Sequence, residues 1–163
     1  MSFAIDISAE SEGWAGIAGV EACVRRAAEA AMRDGEAPPS EISVVLSDDE
    51  HIRELNKHHR NMDKPTNVLS FPPARSKAPP GTPRFLGDIV LAFETIEREA
   101  RDEDKPLENH ITHLVVHGVL HLLGYDHEDE EEAELMENRE RQILSGLGIP
   151  DPYAERGGAA KQA

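Results

Sequence analysis

Four histidines, His110, His113, His117 and His121, constrain this chain more than any other feature, because a helix is what gathers them on one side. At 100° per residue they fall within about an 80° sector of a helix face. Pro106 precedes the segment and Gly124 suits the C′ position after it, so the spacing predicts a helix over Leu107 to Leu123. His117 and His121 are four apart, the separation at which imidazoles on adjacent turns reach one ion. A reversal through Tyr125 and Asp126 then brings back His127 as a third ligand. Three neutral imidazoles with one open position make a catalytic zinc site, whereas a structural site is closed by a fourth protein ligand. One Zn2+ is therefore expected on His117, His121 and His127, with His113 and Asp126 as pocket or supporting residues.

The same spacing follows the metzincin pattern H-E-x-x-H-x-x-G-x-x-H, except that Gly118 stands in place of the glutamate. That glutamate is the general base of those proteases. Glycine has no proton acceptor, so a protease reading loses its base while the metal cage survives. A glycine inside a helix costs about 1 kcal/mol relative to alanine, which points to close approach of another backbone or of a substrate at Gly118.

Around this helix the pattern mixes strands and helices without a linker between two cores. Strands are expected over Phe3 to Ile7, Ile42 to Leu46, Val68 to Phe71 and Phe85 to Phe93, with a bulge near Gly87 and Asp88. One long amphipathic helix is expected from Trp14 to about Asp34, a second from Asp48 capped by Ser47, a third from Glu94 to Arg101 and a last one from Asp129 to Leu147. The last helix draws its apolar face from Ala133, Leu135, Met136, Ile143 and Leu144. Trp14 and Cys23 read as core residues. The expected fold is a single α+β domain over residues 1–153, a mixed sheet packed by helices with the metal site on a helix and the following turn; residues 154–163 read as a frayed tail.

The chain carries a formal net charge of −15, which taken whole argues against a polyanionic partner. Its distribution is uneven. Asp126 to Glu140 holds nine acidic residues against one basic, while Arg53 to Arg84 holds seven basic residues against two acidic. The basic stretch is expected to line a groove toward the histidines, and the acidic run to point largely away from it. No apolar run approaches the ~20 residues of a membrane span. The N-terminus lacks a basic and then apolar leader, and Cys23 is the single cysteine, so the chain reads as cytosolic.

The segment from His117 to His127, with Gly118, Gly124, Tyr125 and Asp126 in place, resembles the signature of the YbeY family of bacterial ribosomal-RNA-maturation endoribonucleases. Leu55 to Pro72, which contains His58, His59, Arg60, Asn61 and the run Pro65-Thr66-Asn67-Val68-Leu69-Ser70-Phe71, resembles that family's N-terminal block, and Gly87-Asp88-Ile89 a third. Asn67 departs from the aspartate often found there. The resemblance implies a mixed sheet packed by helices, zinc on the three histidines, and cleavage of single-stranded ribosomal RNA, notably at the 16S 3′ end. It further implies ribosome quality control, association with the small ribosomal subunit, and a functionally important arginine at Arg60.

Zinc lowers the pKa of water to about 7, which answers the missing glutamate, and a planar guanidinium at Arg60 suits a bidentate clamp on phosphate. Either water or the RNA 2′-hydroxyl can be the attacking group. A non-catalytic ribosome-assembly factor with structural zinc, and a metalloprotease with an unusual base, are the alternatives. The glycine at 118 speaks against the second.

Overall fold

The computed structural model describes residues 3–34, 39–73 and 84–153. Residues 154–163, expected to form a tail, and most of the proline-rich stretch after Phe71 lie outside them. Strands β1 (Phe3–Ala9), β2 (Ser40–Ser47), β3 (Val68–Phe71) and β4 (Arg84–Ala92) form one sheet in the order β1-β2-β4-β3. β1, β2 and β4 run parallel, and β3 closes the edge antiparallel to β4. The helices are α1 (Val20–Asp34), α2 (Asp49–Arg60), α3 (Phe93–Asp102), α4 (Leu107–Leu122) and α5 (Glu130–Gly146). This is the mixed-sheet α+β architecture that the pattern implies.

Side-chain alternation along β4 divides the core. Ile89 and Leu91 join the large cluster with α1 and α4, while Val90 and Ala92 pack with Leu69 and Ile52 of α2 on the other face. Helix α4 lies deep in the large cluster, with Ile111, Val115, Val116, Val119 and Leu120 fully buried. A helix apolar on most of its circumference belongs inside a protein, and here the histidine side is what remains for the cleft. Gly118 permits the approach. A Cβ at 118 would sit 3.1 Å from Ile89 Cγ2 and 3.2 Å from Ser70 Oγ, so a side chain there would enter the sheet and not the metal site.

Three local expectations are corrected. The first helix is broken: a 3₁₀ turn (Glu12–Gly16) carries Trp14, and Gly19, at φ 71°, turns the chain before α1. The cap of α2 is Asp48, whose carboxylate accepts the His51 N–H, while the Ser47 hydroxyl bonds the His51 ring. The bulge in β4 falls at Leu86, since Phe85 pairs with Glu41 and Gly87 with Ile42. Trp14 and Cys23 are core residues as expected; the Trp14 indole N–H donates to the Ser47 carbonyl at 2.7 Å.

Replacing Gly118 with valine should destabilise the fold by ~1–3 kcal/mol, the usual cost of overpacking a filled core. Urea unfolding of the variant against wild type measures this.

Candidate metal centre

His117 and His121 occupy successive turns of α4, and the chain after the helix returns His127. Gly124, at φ 108°, takes the left-handed backbone this reversal requires, and Leu123, Gly124 and Tyr125 N–H groups bond back to the helix's last carbonyls. One nitrogen from each of His117, His121 and His127 lies within 4.8 Å of the other two. The ring pairs His117–His121 and His121–His127 have centroids 4.8 and 4.9 Å apart. Burial, aided by the neighbouring imidazoles, pushes the His121 pKa down to about 4. It is thus neutral at neutral pH, the form in which an imidazole can bind an ion. An all-imidazole donor set suits a borderline transition metal such as zinc and does not suit magnesium or calcium.

The three histidines open onto a cleft of about 1010 Å3 that Asn56, Arg60, Lys64, Asn67, Arg98 and Asp126 also line. Arg60 ends α2, and Asn61 follows it at φ 55° in the left-handed region, sending the chain along the cleft's edge. Asn56, nearly fully buried, fixes that edge: its side-chain N–H donates to the Lys64 carbonyl at 2.9 Å, and its own carbonyl accepts from Met62.

The expected groove of basic residues is only partly there. Arg60 and Lys64 line the cleft; Lys57 and Arg84 do not, and Arg53 is paired with Asp63 at 2.6 Å. Arg75 and Lys77 lie outside the described residues. Arg98, from outside the stretch, contributes in their place, and of the acidic run, expected to point largely away, only Asp126 and Glu128 line the cleft. Asp126 accepts the His127 backbone N–H at 2.7 Å, which stiffens the ligand-bearing turn.

The sequence reading missed the carboxylates behind the histidines. Glu140 of α5, with its side chain fully buried, bonds His113 Nε2 at 2.6 Å and His117 Nδ1 at 2.9 Å, and accepts the Tyr153 hydroxyl at 2.6 Å. Burial alone would raise its pKa; the two histidine hydrogen bonds outweigh this and hold it at about 2. Burial likewise lowers the pKa of His113, against the pull of Glu140. Glu99 of α3 bonds His110 Nε2 at 2.8 Å and accepts from Asn67 at 3.0 Å. An aspartate at 67 would face that carboxylate instead of donating to it. The Nδ1 atoms of His110 and His113 have no partner, so the ring protons belong on Nε2, where the carboxylates receive them. A signal for Glu140 was available: it stands between Met136 and Ile143–Leu144, where the buried stripe of α5 calls for an apolar residue. Leu135, assigned to that stripe, is 60% exposed.

A family model described as "Endoribonuclease YbeY" matches residues 7–148. The chain belongs to the YbeY endoribonuclease family. A Rhodopseudomonas palustris relative named Endoribonuclease YbeY is 55% identical over 152 residues, covering 91% of this chain and 80% of its own length. Another, from strain BisA53, is 52% identical over 163 residues, covering 96% and 95%. The solution structure of TM1509 from Thermotoga maritima superposes with a TM-score of 0.56 at 26% identity, covering 88% of this chain and 91% of that one. The matched residues include the helix and turn that carry the three imidazoles.

Glu99 yields a pH prediction. Burial would raise its pKa, but hydrogen bonds from His110 and Asn67 leave it below the ordinary 4.5. A carboxylate with a depressed folded value stabilises the fold above its unfolded pKa and loses that contribution as pH falls through the folded value. Urea midpoints between about pH 6 and 3 should therefore fall more gently in Glu99→Gln than in wild type.

Proposed function

We propose that this endoribonuclease is a zinc enzyme that cuts single-stranded ribosomal RNA in the cytoplasm, acting in 16S 3′-end maturation and ribosome quality control in association with the small ribosomal subunit. The observation that carries the reading is the convergence of His117, His121 and His127 on one point of a cleft that Arg60 and Lys64 also line. Relatives at 55% and 52% identity bear the name Endoribonuclease YbeY, which supports RNA as the substrate. Zinc held by the three imidazoles would supply Lewis acidity toward a phosphate oxygen and a nucleophile at neutral pH.

The chain's own groups do the rest. Arg60, exposed at the end of α2, offers a guanidinium fork that can grip two phosphate oxygens and stabilise the charge that grows on them in the transition state. Lys64 adds a point charge to the backbone track, and Asn56 holds its segment in place. Gly118 contributes no base, since its face is pressed against Ile89 and Ser70. Asp126 and Glu128 on the same cleft repel phosphates on their side, so an RNA strand is steered along the Arg60 side.

Zinc content should fall from about one per chain to near zero in a His117→Ala/His121→Ala double variant, read by elemental analysis of chelator-treated and reloaded protein. Equal zinc in both would refute the site. Arg60→Ala should lower cleavage of a single-stranded ribosomal RNA fragment by more than tenfold while shifting the unfolding free energy by less than about 0.5 kcal/mol. Lys64→Ala should weaken all single-stranded RNAs alike and flatten the salt dependence of binding by about 0.7 in log–log slope. A sequence-selective loss would assign Lys64 a different role.

A further inference from the structure

Among the described residues Glu140 is the one buried carboxylate. Burying such a group gains no stability over an apolar side chain of similar size, and an apolar residue at 140 would complete the stripe of Met136, Ile143 and Leu144. Its position is explained by its partners. A carboxylate can only accept, and three donors converge on it: His113 Nε2, the Tyr153 hydroxyl and His117 Nδ1. By accepting from Nδ1 it keeps the His117 proton there and leaves the Nε2 lone pair for an ion. The full negative charge behind the ring also makes that lone pair a better donor.

Tyr153 is itself held in place. Arg141 bonds Asp151 through Nε at 3.1 Å and lies 5.2 Å from the centre of the Tyr153 ring. The Tyr153 N–H donates to Asp151 at 2.8 Å. The turn after α5 thus presents a fixed hydroxyl to Glu140 Oε1, the oxygen that also receives His113.

We propose that Glu140 is a positioning residue that orients His117 as a metal ligand, and that Tyr153, acting through Glu140, couples the turn after α5 to the strength of the metal site. This rests on the zinc reading above. It concerns zinc affinity and not only turnover.

The test measures zinc affinity by competition with a chromophoric chelator in wild type, Glu140→Gln, Tyr153→Phe and the double variant, with circular dichroism confirming that each is folded. Glu140→Gln should bind zinc about 10- to 100-fold more weakly, and Tyr153→Phe about fivefold more weakly. The double variant should bind no more weakly than Glu140→Gln, because Tyr153 acts through that carboxylate. Nitrogen shifts of His117 in the metal-free wild type should place its proton on Nδ1. This needs no variant and holds even if Glu140→Gln fails to fold. Wild-type affinity in the folded variants, a Tyr153→Phe effect that adds fully to Glu140→Gln, or a proton on Nε2 would overturn the inference. If the wild type binds no zinc, the zinc reading falls and takes this inference with it; if it binds and the variants bind equally, this inference alone falls.

Discussion

The contact of α4 with β3 and β4, made possible by Gly118, sets the position of the histidine face. With no side chain at 118, the helix seats against Ile89 and Ser70. Its apolar residues are consumed by the sheet and by α1, leaving the histidine face to be met from the flanks by polar groups. The metal centre is thus a product of how the core is filled. The two α4 ligands stand on a rigid, buried element, the kind of support that holds a reactive constellation more precisely than a loop can.

Neighbouring helices then supply a carboxylate each. Glu99 from α3 takes His110, and Glu140 from α5 takes His113 and His117. The acidic character of the chain is therefore not one thing. Glu130, Glu131 and Glu132 lie in the first turn of α5, where Asp129 caps the helix and its dipole favours negative charge. Glu140, ten residues on from Glu130, is an internal part of the histidine network. Asp126 and Glu128 border the cleft opposite in sign to Arg60, Lys64 and Arg98. Net charge averages over these roles, which is why it is a poor guide to the partner of this protein.

What was legible in the sequence follows from local physics. The helix of histidines, the return to His127 and the strand and helix order are all written in short-range periodicity and turn residues. The break at Gly19 was hidden because Trp14 and Ile17 continue the apolar spacing of α1 across it, and only the backbone reveals the left-handed turn. The histidine contacts of Glu99 and Glu140 join residues 11 to 27 positions apart, so they depend on how helices pack and leave no mark in local spacing. Glu140 is the partial exception, a charge standing in an apolar stripe. The basic stretch misled in part because Arg53 spends its charge on Asp63, a pairing that a count of charges ignores.

The ligand set is divided between two kinds of support. His117 and His121 ride on a buried helix, whereas His127 sits exposed on the turn after Gly124. The helix half of the set is assembled whenever the core is, and only the turn has to move for the set to open. An ion held there would therefore exchange through local opening of that turn rather than through global unfolding. A chelator would then strip such an ion while the sheet and α4 stay folded, and reloading would need a single reversal of chain to close.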